Sequence, residues 1–220
     1  MTELHTDLTE YYACRAGEYE RMYQRPERQT ELRWLEEAVT HAFREENVLE
    51  VACGTGYWTQ FIARSARSIV ATDASQAVLE RAREKDFGAC DVSLLEADAY
   101  SLDAALGVYS AGFAGFWWSH IPKDKAAAFL RGFHAKLEPD APVVLMDNSF
   151  VEGNSTPISR TDDDGNAYQI RQLADGSRHE ILKNFPSEPD LRTSLGPCAR
   201  EVEFVQLTYY WFCRYRVARG

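Results

Sequence analysis

Short runs of apolar and β-branched residues punctuate this chain, among them Val48-Leu49-Glu50-Val51, Ile69-Val70-Ala71-Thr72 and Val143-Val144-Leu145-Met146. They lack the strict alternation of a half-exposed strand and suit strands buried on both faces of a sheet. In order, the pattern predicts strands at 48–51, 68–73, 92–96, 111–116 and 143–147, with helices at 57–64, 75–85 and 123–137 between them. Ahead of these, 4–23 reads as a helix or helix pair carrying Tyr11, Tyr12, Tyr19 and Tyr23; helical spacing puts Tyr11, Tyr19 and Tyr23 near one face. Pro26 suits the first turn of a second helix to about residue 44, whose buried stripe is Trp34, Leu35, Ala38, Val39 and Ala42.

After the fifth strand the pattern changes. Residues 148–185 are not needed for the sheet; Asp162-Asp163-Asp164-Gly165-Asn166 reads as a turn, and 168–173 with 178–182 as a hairpin around Asp175-Gly176. Ser187 is placed to cap a short helix through Leu195. Two further strands, 201–207 and 208–217, then close the chain.

Composition narrows the classes. A chain of 220 residues supports one substantial core. A net charge of -10 with no basic stripe argues against a nucleic-acid partner. The five cysteines are odd in number and lack metal-ligand spacing, which fits reduced thiols in a cytosol. The first twenty residues are polar, and no run approaches the roughly 20 apolar residues of a membrane span, so a soluble, cytoplasmic protein is expected. No metal is expected either: the aspartates at 162–164 lack the bidentate acid of a calcium loop.

The candidate chemistry gathers at strand ends. Cys53-Gly54-Thr55-Gly56 follows the first strand with glycines that let the backbone turn sharply, and a helix follows at once, a geometry that binds nucleotide-like ligands. A dinucleotide fingerprint is only partly matched, because Thr59 stands where its third glycine would be. Glu50, four residues before Gly54, repels a pyrophosphate and suits a cationic ligand reached directly or through water. Asp73 ends the second strand 17 residues past Gly56, placed either to accept from both ribose hydroxyls or to cap the helix from Ala74. Asp98 ends the third strand. The fourth runs through Phe116 into Trp117, Trp118 and His120, an apolar wall with one titratable group.

This order of signals resembles the class I S-adenosylmethionine-dependent methyltransferases, whose first motif is an acid followed by x-Gly-x-Gly-x-Gly; Ala52 stands here in place of the first glycine. The resemblance implies a Rossmann-like, seven-stranded, mostly parallel α/β sheet with helices on both faces and an antiparallel C-terminal strand pair. It implies a lid at 1–45 and a methyltransferase domain at 46–220 with an inserted cap at about 148–185. S-adenosylmethionine would lie against Tyr11, Tyr19, Glu50, Ala52, Gly54, Gly56, Asp73, Ala74, Asp98, Ala99, Phe116 and Trp117. In the family a carboxylate at the Asp98 position receives the adenine amine.

The expected reaction is methyl transfer to nitrogen or oxygen of a small polar metabolite. His120 is then either a base or a loop anchor, and Trp118, Asn148 and Tyr168 are acceptor contacts. Arg160, Arg171, Arg178 and Lys183 suit a carboxylate of acceptor or cofactor, or are solvated surface charge. Two other readings stay open: an enzyme that cyclises or transfers the aminocarboxypropyl group of S-adenosylmethionine, and a non-catalytic binding subunit. Either a monomer or a homodimer is compatible with the sequence.

Overall fold

The computed structural model describes residues 4–15, 17, 19–105 and 107–218. The chain begins with strand β1 (Leu4–His5), helix α1 (Leu8–Arg15) and a 3-10 stretch (Tyr19–Gln24). Helix α2 (Gln29–Ala42) leads into β2 (Asn47–Val51), the short α3 (Thr59–Ile62), β3 (Ser68–Asp73), α4 (Gln76–Arg83), β4 (Asp91–Glu96) and β5 (Ala111–Gly115). Helix α5 (Ala126–His134) and β6 (Pro142–Asn148) follow. The cap contributes β7 (Arg160–Thr161), β8 (Ala167–Gln172) and β9 (Arg178–Leu182); α6 (Glu188–Leu195), β10 (Ala199–Gln206) and β11 (Tyr210–Val217) complete the fold.

Seven strands form the main sheet in the order β10-β11-β6-β5-β2-β3-β4. Its parallel centre is β6-β5-β2-β3-β4, and β11 runs antiparallel to both its neighbours. The apolar runs are buried on both sides, as their lack of alternation predicts: Leu49 and Leu145 join the core beneath α5 and α6, whereas Val48 and Val144 join the core beneath α2. Each such side chain contributes roughly 1.5–3 kcal/mol by leaving water. The stripe of α2 is Leu32, Leu35 and Val39; Trp34, expected in it, lies on its flank, 39% exposed and edge-on to Phe212.

Helix α2 thus belongs to the main core, and the part of the N-terminus that covers the sheet edge narrows to residues 4–24. That part is not the expected helical stripe. Leu4 and His5 pair in parallel with Arg178 and His179, so β1 extends a second sheet ordered β1-β9-β8-β7. The edge of β9 recruits it, because unpaired ladder groups are satisfied by any strand that reaches them. With the helix broken after Arg15, Tyr11 packs on His179 while Tyr23 stacks on Tyr57. The hairpin β8-β9 has the expected pairing, and Ser187 caps α6 through a reciprocal box with Asp190.

Candidate active site

The site lies where the parallel strands end at their carboxyl edge. Past β2 the backbone enters the left-handed region at Ala52 (φ 56°), Gly54 (56°) and Gly56 (75°). Only glycine takes that region without penalty, so Ala52 carries about 1–2 kcal/mol of strain. The turn is pinned by Asp73, whose two oxygens accept from the amides of Gly54 and Ser75, both at 2.9 Å. Burial nevertheless pushes the Asp73 carboxyl above its usual range, against these amides.

A cavity of about 410 Å³ opens here. Ala52 and Gly54 line it from the glycine turn, Asp73, Ala74, Asp98 and Ala99 from the ends of β3 and β4, Phe116 and Trp117 from the end of β5, and Tyr12 and Tyr19 from the lid. The indole Nε1 of Trp117 is buried with no partner among the described residues, a donor available to a ligand. Asp98 uses one oxygen on the amide of Tyr100. Its other oxygen and the Asp73 lone pairs suit hydroxyl and amine donors, and the ring faces suit a cation.

Not every expected residue reaches this cavity. Glu50 lies beneath the turn, 1% exposed, and does not line it. Burial raises its carboxyl to about 8; the Thr59 hydroxyl is near enough to oppose that shift but makes no well-formed hydrogen bond with it. Gly56 also faces away, bringing the turn so close to α4 that a Cβ would sit 3.1 Å from that of Ala82. Tyr11 is buried under the cap and accepts from Arg15.

A second, smaller cavity of about 90 Å³ lies under the cap sheet. Asn148 lines it, with Asn154, Thr156, Gln169 and the cations Arg15, Arg25, Arg28, Arg171 and Lys183. Tyr168 does not; its hydroxyl donates to Asp162 and its ring lies under Arg160 on the outside of the cap. Trp118 does not either. It sits 6% exposed in the core on the far side, because Phe116 (φ 61°) turns the chain so that Trp117 faces the larger cavity and Trp118 the interior.

Tyr12, Tyr19, Phe116 and His120 line both cavities, which therefore meet at these four side chains. The Nδ1 of His120 is 2.8 Å from the Leu182 carbonyl, which can only accept, so Nδ1 carries the proton. Its Nε2 then accepts from the Tyr12 hydroxyl at 2.7 Å. Burial, then the charge of Lys183, pushes the imidazole down to about 3, so it is neutral at pH 7. Beside it Lys183 donates to Asp147 at 3.1 Å and to the Ser119 hydroxyl at 2.6 Å. Burial is the largest influence on the Asp147 carboxyl and raises it, but Lys183, His120 and the amides of Ser119 and Asn148 together hold the group below its usual range. This pair fastens the end of β6 to the end of β9. No group of three or more His, Cys, Asp or Glu among the described residues is placed to hold a metal ion, and no described helix is long and apolar enough to cross a membrane.

Comparison with known proteins agrees with this architecture. Residues 48–140 match the family model of a methyltransferase domain. The fold is similar to a DhpI–SAH complex (24% identity, 96% of each chain, TM-score 0.76) and to a DhpI–SAM–HEP complex (24%, 94% of each chain, TM-score 0.73). It is also similar to an S-adenosylmethionine-dependent methyltransferase from Clostridium acetobutylicum (16%, 84% of this chain and 89% of that one, TM-score 0.60). None of the curated proteins matches the sequence. Residues 48–140 thus match a methyltransferase domain, and nearly the whole chain shares the fold of these S-adenosylmethionine- and S-adenosylhomocysteine-bound neighbours.

Proposed function

We propose that the chain moves the methyl group of S-adenosylmethionine to a nitrogen or oxygen of a small polar acceptor held in the smaller cavity. The observation that carries this is the meeting of the two cavities at Tyr12, Tyr19, Phe116 and His120, which gives donor and acceptor one shared wall. S-adenosylmethionine supplies an activated methyl group when bound in the larger cavity. Asp73 and Asp98 accept its nucleoside donors, and Phe116 and Trp117 give apolar ring surface at the sheet edge.

The chain's main contribution is positioning in a site stripped of water. Burial, with the charge of Lys183, keeps His120 neutral at pH 7. Its steady role is therefore to orient the Tyr12 hydroxyl between the cavities, and it takes a proton only if the acceptor arrives protonated. The test is mass spectrometry of products formed from methyl-labelled S-adenosylmethionine and a metabolite extract. A labelled methylated metabolite with S-adenosylhomocysteine is the expected result. Release of the nucleoside thioether instead would replace this reading by transfer or cyclisation of the aminocarboxypropyl group.

A further inference from the structure

We propose that the smaller cavity is an oxyanion site, so that the acceptor carries a carboxylate or phosphoryl-type group gripped by Arg15, Arg28 and Arg171. This rests on the reading above that the acceptor occupies that cavity. Charge is the first observation: the chain has 34 acidic and 24 basic residues, yet among the described residues no carboxylate lines this cavity while four arginines and a lysine do. Lys183 is neutralised by Asp147, and Arg25 is exposed near Glu27, which leaves three guanidinium groups.

Among the described residues, none of these three has a carboxylate within ion-pair distance, whereas the surface arginines Arg160, Arg192, Arg200 and Arg214 each have one. They are held instead by neutral oxygens. Arg28 is only 7% exposed; it donates to the Asn154 amide oxygen at 2.5 Å and lies over the rings of Tyr209 and Tyr210. Arg171 donates to the Thr156 hydroxyl at 2.6 Å and to the Gln169 amide oxygen at 2.7 Å. Arg15 donates to the Tyr11 hydroxyl at 2.9 Å and lies over the Tyr19 ring.

Such contacts fix a guanidinium without cancelling its charge. The Nε atoms of both Arg28 and Arg171 are buried with no partner among the described residues, so each keeps a donor to offer. A buried, unpaired cation is costly, and a small chamber ringed by planar, fixed donors is arranged to recover that cost from a bound oxyanion. Burial, together with the charges of Arg15 and Arg25, pushes Arg171 down, the mark of a site short of negative charge.

The test is calorimetric titration of the full chain, with and without S-adenosylhomocysteine, using inorganic phosphate and sodium acetate as probes. One saturable site for either anion is expected; the preferred anion tells a phosphoryl-type acceptor from a carboxylate. Arg28→Gln and Arg171→Gln should each weaken that anion by about 10- to 100-fold, the loss of one charge-assisted contact, while S-adenosylhomocysteine affinity holds within a few-fold. Arg28→Lys should recover part of the loss. If Arg28→Gln does not fold, as judged by its lost S-adenosylhomocysteine binding, Arg171→Gln carries the test. Absence of saturable binding by both anions, or binding undiminished in the glutamine variants, overturns the proposal. Anion binding by a chain that takes up no S-adenosylhomocysteine upholds the oxyanion site and overturns the methyl-donor reading instead.

Discussion

At the scale of single residues, Asp73 shows how one carboxylate serves two ends. It pins the glycine turn through Gly54 and starts α4 through Ser75, and the same group faces the larger cavity. Of the two roles read from its place in the sequence, helix capping is replaced by a bond to the amide of Ser75, which is itself the N-cap of α4, and the lone pairs the two amides leave over remain free to face the cavity. Asp73→Asn keeps the size and one acceptor oxygen, and should weaken S-adenosylhomocysteine about 10- to 100-fold in calorimetry. Unchanged affinity would remove Asp73 from the cofactor contacts. Glu50 makes the opposite point. Its acidity suggested a ligand contact, but a residue in the middle of a strand buried on both faces points into the core, and its role there is felt as burial.

At the scale of elements, the N-terminal segment ahead of α2 is held by contacts with distant parts of the chain. Residues 4–24 are anchored by β1 on the cap, by Tyr12 on His120, and by Glu20, which accepts from the Thr55 hydroxyl at 2.8 Å and from Lys85 at 2.9 Å. Between these points α1 has eight residues, too short to be helical alone. Because Tyr12 and Tyr19 line both cavities, a ligand in either would add contacts to this segment. Trypsin cleavage after Arg15 and Arg21 should therefore slow severalfold when S-adenosylhomocysteine saturates the chain, as read by intact mass over time. Equal rates with and without ligand would make the tyrosines structural packing alone.

At the scale of the whole molecule, buried ionisable groups set an unusual pH response. His120, held near 3 against an ordinary 6.5, stays neutral in the fold while the unfolded chain binds a proton, so stability falls as pH drops from 6.5 towards 3. His134, pushed by burial to about 4, acts in the same sense. Glu50 does the reverse: at about 8 against an ordinary 4.5, the fold keeps a proton that the unfolded chain has released, so stability falls as pH rises from 4.5 to 8. Asp73, also raised by burial, adds to Glu50 in the acid part of that window. Above 6.5 Glu50 acts almost alone, with a slope approaching 1.4 kcal/mol per pH unit. Urea unfolding should show the wild type losing stability between pH 7 and 8 and Glu50→Gln losing little; equal slopes would mean that Glu50 is ionised in the fold.

The elements of the sheet, the glycine turn, the β8-β9 hairpin and the Ser187 cap were legible in the sequence because each rests on short-range rules: periodicity, turn chemistry and capping act within a few residues. So was the gathering of Asp73, Asp98, Phe116 and Trp117 about one cavity, since parallel strands bring their carboxyl ends to one edge wherever they fall in the chain. The smaller cavity was not. Its contacts span 126 residues from Arg28 to Asn154, 108 from Tyr12 to His120 and 36 from Asp147 to Lys183, and no local pattern marks an arginine that will be buried without a carboxylate. Arg171 and Lys183 stood out in the sequence as cations of the cap, but so did Arg160, which the fold pairs with Glu180 on the surface. Which of them turned inward, and which of Trp117 and Trp118 lines the larger cavity, was decided by how the cap docks on the sheet and by the left-handed turn at Phe116. Those are properties of packed segments distant in sequence, and burial and charge pairing exist only once the segments have met.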